Sequence, residues 1–234
     1  MLAKRLLDIL ASAAGLVALS PILAVILFLV WCQDRQSPFF RGERAARGGG
    51  SFRMVKIRSM VIDADLSGVE STGAYDRRIT QLGHFIRRWK LDELTQLWNV
   101  LKGEMSLVGP RPNTLREVAK YTPAERHLLD VRPGITDMAS IVFSDEGDIL
   151  KDAADPDDAY DKLIRPWKSR LGLVYVRHAG LLLDLKLIWL TLVAIADKPR
   201  ALRGVVRELQ RLGVDPDLIA ASRREAPLVP TFSV

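Results

Sequence analysis

The chemistry-bearing residues of this chain crowd into one short stretch. Lys90-Leu91-Asp92-Glu93-Leu94 sets two carboxylates side by side, with Arg87 and Arg88 just upstream and Arg111 downstream. An adjacent acid pair at a helix start is most simply a favourable complement to the helix dipole. Enclosed by cations, the same pair gains a second use, because a cationic pocket keeps a carboxylate ionised and nucleophilic while drawing in an anionic substrate. Arg111 belongs to Gly109-Pro110-Arg111-Pro112, where the prolines stiffen a turn and a guanidinium can grip phosphate oxygens at two points. Arg132-Pro133-Gly134 repeats the arrangement, and for both arginines a structural turn is the plain alternative. Lys56 and Arg58, two apart on an expected strand, would share a face. Asp63-Ala64-Asp65 has a spacing that can hold a divalent metal but reads first as a turn or helix-start feature. His84, His127, His178 and the single Cys32 stand at no metal-ligand spacing, which argues against a zinc site, and one cysteine excludes an internal disulfide.

These residues need elements to position them. The chain has 234 residues, 48% hydrophobic, with a net charge of +6. That length is enough for one domain with a sizeable core plus a membrane anchor, and the charge favours anionic partners such as nucleic acid, anionic lipid or phosphorylated substrates. From Ile9 to Trp31 no residue is charged, long enough for a helix to span a bilayer core. The small residues that resemble a signal cleavage site precede most of this stretch instead of following it, so it is expected to stay on the protein. Ser20-Pro21 near its middle predicts a bend, with Ser20 able to satisfy a carbonyl that proline frees. Basic residues flank both sides, so charge gives no orientation. Composition alone favours a kinked single-pass helix over one that turns back on itself.

Beyond the anchor, Phe52 to Met60 alternates as a strand does. Arg78 to Gly103 reads as two helices offset around Lys90-Leu91, the second starting at Asp92. Residues 145 to 161, rich in carboxylates, read as a solvated loop. Ala179 to Ala196 reads as an amphipathic helix at a membrane surface or in the core, because Asp184 and Lys186 interrupt it. A surface helix around Ala201 to Leu212 and a loose tail complete the chain.

Taken together, the residues resemble the monotopic polyprenyl-phosphate phosphoglycosyl transferases, bacterial sugar transferases that begin glycan assembly on a lipid carrier. The resemblance runs from Lys4 to about Thr191. It is densest from Arg78-Ile79-Thr80 through Leu91-Asp92-Glu93-Leu94 and Gln96-Leu97-Trp98-Asn99-Val100-Leu101-Lys102-Gly103-Glu104-Met105-Ser106 to Pro112. Lys4-Arg5 with Asp8, Phe39-Phe40-Arg41, Arg132-Pro133-Gly134-Ile135-Thr136 and Leu183-Asp184-Leu185-Lys186 also fit. Asp137-Met138-Ala139-Ser140, then Phe143 and Glu146, depart from the commoner pattern of a glycine followed by a glutamine, which leaves sugar and base specificity open.

The resemblance implies an α/β fold, predominantly helical with a little sheet. A re-entrant membrane helix (1–33) broken at Ser20 and Pro21 would precede a compact domain (34–196) with interfacial amphipathic helices, on the cytoplasmic face of the bacterial inner membrane. The charged tail (197–234) lies beyond the resemblance and is a candidate self-association element, and a homodimer is a candidate assembly. Asp92 and Glu93 would be catalytic. Asp92 would attack a nucleotide diphosphate sugar, expected to be a UDP-sugar, and the phospho-sugar it gains would pass to polyprenyl (undecaprenyl) phosphate. Glu93 would help hold Mg²⁺, and Lys56, Arg58, Arg87, Arg111 and Arg132 would contact phosphate or carrier lipid. Membrane lipid would be a partner, and nucleic acid would not. Two rivals stand beside this reading: a metal-dependent nucleotide-sugar glycosyltransferase using Asp63 and Asp65, and a non-catalytic membrane adaptor.

Overall fold

The computed structural model describes residues 2–68, 72–73 and 75–230. The first residue, expected in the cytoplasm, and the last four of the tail lie outside these. Helix α1 (Leu2–Asp34) opens the chain and continues through Ser20 and Pro21 as one helix, so the break expected there is absent. Proline lacks the N–H that would bond the Val17 carbonyl. Ser20 Oγ donates to that carbonyl at 2.8 Å, the partner expected of it. Among the described residues α1 is the one helix long and apolar enough to cross a membrane.

A helix of this length measures about 50 Å, yet both of its ends are tied to the same domain. Near its start, Lys4 donates to Asp184 at 2.7 Å, to Tyr175 Oη at 3.2 Å and to the Val108 carbonyl at 3.0 Å. Buried Asp8 accepts from Ser106 Oγ and the Leu107 amide. Near its end, Leu23, Ile26 and Val30 bury against Ile57 and Ile86, and Asp34 takes both terminal nitrogens of Arg58. The opposite face exposes Leu6, Leu10, Val17, Val25 and Phe28. One stripe of α1 therefore seals against protein while an apolar stripe faces outward.

Strands β1 (Phe39–Ala45) and β2 (Ser51–Ile57) form an antiparallel hairpin, Phe39 opposite Ile57. A 3₁₀ turn at Ala64–Ser67 leads to α2 (Gln81–Arg88). A 3₁₀ turn at Leu91–Glu93 then leads to α3 (Gln96–Lys102). The offset around Lys90 is real: Lys90 adopts a left-handed φ of 53°. The second helix starts four residues later than the pattern suggests, so Asp92 sits in a tight turn instead of an α-helical first turn. Strands β3 (Ser106–Val108) and β4 (Gly134–Thr136) pair in parallel, enclosing α4 (Leu115–Ala119) and a 3₁₀ segment at Glu125–Asp130 in the connection.

The largest core gathers α5 (Met138–Val142), α8 (Arg165–His178), α9 (Leu181–Ala196) and α10 (Lys198–Arg211). The acidic stretch is no solvated loop. It folds as α6 (Glu146–Ile149) and α7 (Pro156–Leu163), the latter capped by Asp155 with proline in its first turn, and Leu150 is buried between them. The tail is ordered as α10 and α11 (Pro216–Arg223), whose Ala201, Val205, Leu209 and Leu218 enter the same core as Met138 and Val142.

Candidate active site

Three pieces of backbone converge on the acid pair. Leu91 and Leu94, on either side of Asp92 and Glu93, pack onto the cluster formed by the second half of α1 with Ile57 and Ile86. The left-handed Lys90 ends α2 and starts the turn. The 3₁₀ turn thus rests on the apolar helix α1, and its acids turn toward β2.

Strand β2 pairs with β1 along one edge, and α3 satisfies the other edge with side chains. Asn99 Oδ1 accepts from the Val55 amide at 3.0 Å, and its Nδ2 donates to the Arg53 carbonyl at 2.9 Å. Thr95 Oγ1 donates to the Val55 carbonyl at 3.1 Å. Asn99 is fully buried, where leaving these groups unpaired would cost ~1–3 kcal/mol each. The stitching fixes Lys56, the next residue, against the turn: its Nζ lies 3.1 Å from Glu93 Oε1 and 3.7 Å from Asp92 Oδ2.

Arg111 arrives on the third piece. Gly109 and Gly134 meet back to back across β3 and β4, a Cβ on Gly134 falling 2.1 Å from the Gly109 nitrogen. The Gly134 amide donates to the Pro110 carbonyl at 2.9 Å, and the Gly109 amide to the Thr136 carbonyl at 3.0 Å. This locked crossing carries Arg111 to Glu93 Oε1 at 2.7 Å.

The two acids are therefore unequal. Glu93 Oε1 takes both Lys56 and Arg111, and its Oε2 has no protein partner among the described residues. Burial works to raise its carboxyl, but Arg111, Lys56 and Lys90 outweigh it and hold Glu93 well below the usual carboxylate range. The Asp92 carboxylate, 8% exposed as a residue, accepts no hydrogen bond among the described residues. Burial pushes its carboxyl up, Lys56 opposes that, and the charge of Glu93 adds to the push. A buried, unbonded carboxylate beside a lysine is a poorly solvated and hence reactive oxygen nucleophile.

The other expected cations separate. Arg87 acts on Asp92 and Glu146 through space and makes no ion pair among the described residues. Arg58 follows β2 and is spent on Asp34 and the Ser37 carbonyl. Arg132 Nε donates to the Gly103 carbonyl at 2.8 Å, beside Arg5, which donates to the Val100 and Leu101 carbonyls. Both guanidiniums thereby cap the C-terminus of α3. Asp63 and Asp65 lie exposed at a turn, Asp63 with a left-handed φ of 60°. No group of three or more His, Cys, Asp or Glu side chains that could hold a metal occurs among the described residues.

Sequence reasoning missed the neighbouring wall. A cleft beside Arg111 is lined by Asp137, Ser140, Tyr160 and Lys168. Asp137 caps α5 reciprocally with Ser140. Glu146 ion-pairs with Lys168. Burial works to raise Glu146, but Lys168 and Arg111 leave it below its ordinary value.

Comparison with known proteins places the chain in a family. The bacterial sugar transferase family matches residues 1–198. The undecaprenyl-phosphate glucose phosphotransferase of Komagataeibacter xylinus is 37% identical over 201 residues, covering 82% of this chain and 35% of that protein. The UDP-glucose:undecaprenyl-phosphate glucose-1-phosphate transferase of Klebsiella pneumoniae is 36% identical over 195 residues, 82% of this chain and 39% of the other. The exopolysaccharide production protein ExoY of Sinorhizobium fredii (strain NBRC 101917 / NGR234) is 31% identical over 209 residues, 83% of this chain and 85% of the other. The chain thus spans little more than a third of the length of the first two relatives.

Proposed function

Since this chain belongs to the bacterial sugar transferase family, we propose that it moves a sugar 1-phosphate from a nucleotide diphosphate sugar, a UDP-sugar, to polyprenyl phosphate. The observation that carries this reading is the asymmetry of the acid pair, with Glu93 bound by two cations and Asp92 left free beside one. An Asp92 oxygen attacks the phosphorus bonded to the sugar. The bridging P–O bond breaks, the nucleoside monophosphate leaves with that electron pair, and a phospho-sugar remains on Asp92. An oxygen of polyprenyl phosphate then attacks the same phosphorus, the acyl–phosphate bond breaks, and the Asp92 carboxylate returns. Lys56 keeps Asp92 ionised between turnovers, and Arg111 draws the diphosphate to the turn. Arg87 adds positive field without an ion pair to any acid among the described residues.

The free Glu93 Oε2 beside Asp92 suits Mg²⁺, which takes one or two carboxylates and completes its shell with substrate phosphates and water. When bound there, the ion would neutralise charge on the diphosphate. The membrane reading follows from α1. Its two ends engage one domain while an apolar stripe faces outward, which suits a helix that enters and leaves the cytoplasmic leaflet on one side. The exposed Leu182, Leu185, Trp189 and Leu192 of α9 suit the same interface.

A nucleotide-sugar screen tests the reading: transfer of sugar phosphate releases nucleoside monophosphate, whereas release of nucleoside diphosphate would mean sugar transfer alone and overturn it.

A further inference from the structure

Three cations line the cleft beside the acid pair, and all three already hold carboxylates. Arg165 is spent on Glu125 and Asp161, away from the turn. Arg111 holds Glu93. Lys168 holds Glu146. The last pair is lopsided. The Lys168 side chain is 13% exposed and that of Glu146 31%. The ammonium also stands 5.1 Å from the centre of the Tyr160 ring, an attractive face that remains when the carboxylate leaves. Lys168 is therefore fixed on the long helix α8 by two supports. Glu146 is carried on a four-residue helix. The residue before it, Asp145, is clamped by Lys198 and Arg224, so Glu146 can swing from a held pivot.

A nucleotide sugar carries two linked phosphoryl groups, and the cleft lining includes the two cations Arg111 and Lys168. A carboxylate resting on each keeps the empty cleft near charge balance. A diphosphate, with more negative charge and more acceptor oxygens than one carboxylate, competes for the same nitrogens.

We propose that Lys168 is a further phosphate-binding residue for the nucleotide-sugar diphosphate and that Glu146 is its internal counter-ion, covering the ammonium until the donor displaces it. This rests on the sugar-phosphate reading of the same site. Glu146 then competes with the donor, so removing its charge tightens diphosphate binding, where loss of an ordinary substrate contact would weaken it.

The test uses the full chain in detergent and inorganic pyrophosphate as probe, with binding read by calorimetry and the donor KM read by nucleoside monophosphate release. Glu146→Gln is expected to tighten pyrophosphate binding about threefold to tenfold and to lower the donor KM. Lys168→Met is expected to weaken binding about tenfold to a hundredfold, the equivalent of one charge-assisted bond. The double variant should bind more weakly than wild type and regain only a small part of the Lys168→Met loss, since Glu146 acts first on its lysine and second on Arg111. Lys162→Met, which removes an exposed charge paired with Asp158 on α7, should leave binding unchanged and so controls for bulk charge. Unfolding midpoints of all four check that each is folded. Weaker binding in a folded Glu146→Gln, or unchanged binding in Lys168→Met, overturns the proposal. If the wild type releases no nucleoside monophosphate from any donor, the parent reading fails, while calorimetry still reports on the cation pair.

Discussion

Replacing Lys56 by methionine keeps the stem and removes the charge that stands between the two acids. Its nitrogen lies 3.7 Å from Asp92 Oδ2, and the lysine, aspartate and glutamate side chains are 17%, 12% and 13% exposed. At an effective dielectric of ~20 a pair at that distance interacts by about 4.5 kcal/mol. Water entering the gap recovers part of this, leaving ~2–3 kcal/mol, the range of a charge-assisted bond. That corresponds to a roughly 30- to 150-fold fall in kcat/KM at neutral pH. The pH profile carries the sharper signature. Burial already holds the Asp92 carboxyl above its ordinary value, and Lys56 is the first charge opposing it. On the proposed mechanism Asp92 attacks only when ionised, so activity is lost as pH falls through its pKa. Without Lys56 that pKa rises further, and the acid limb moves to higher pH. The assay is nucleoside monophosphate release across a pH series, with Lys56→Arg expected to keep the limb in place. A fall of less than about threefold, or a loss equal at every pH, would refute the reasoning.

Asp92→Asn should abolish transfer, and wild-type enzyme given donor without lipid should carry a phospho-sugar on Asp92 visible by intact mass. Gly134→Ala should drive a methyl into Gly109, displace Arg111 and cut kcat/KM by at least ~10-fold while the protein remains folded; calorimetry of pyrophosphate would show the lost grip. Lys4→Met should destabilise the chain by about 3–5 kcal/mol, because it leaves Asp184, 1% exposed, without its cation. Lys4→Met with Asp184→Leu should recover most of that in denaturant titrations. A cysteine at residue 2, made as Leu2→Cys, should react with a membrane-impermeant reagent only from the cytoplasmic side, and labelling from the periplasm alone would refute the re-entrant reading.

Local spacing made the acid turn legible. The offset of apolar stripes at Lys90 marks the left-handed residue that separates α2 from α3, and the proline-flanked Arg111 does reach Glu93. What sequence could not show is which cations arrive together. Arg58 shares a strand pattern with Lys56 but leaves it for Asp34, and Arg132 closes α3, because both choices depend on where α1 and α3 pack. Lys168 and Glu146 meet across 22 residues, a distance over which charge patterning is silent. The acidic stretch did carry a readable sign: Asp155-Pro156 is a cap followed by proline in the first helical turn, and Asp215-Pro216 repeats the dipeptide at α11. Their carboxylates suggested solvent, yet apolar residues between them complete the core.

The packing of Leu91 and Leu94 onto the second half of α1 has a consequence for encounter. The helix proposed to meet the bilayer is the floor of the turn that carries Asp92, so on that seating Asp92 stands at a fixed height above the leaflet. A lipid-borne phosphate confined to that leaflet then meets the phospho-sugar by sliding sideways, with no search in depth. Collision frequency becomes a matter of surface density instead of bulk concentration, and any change that loosened the two leucines would blur the height and thin out productive collisions without touching a charged group.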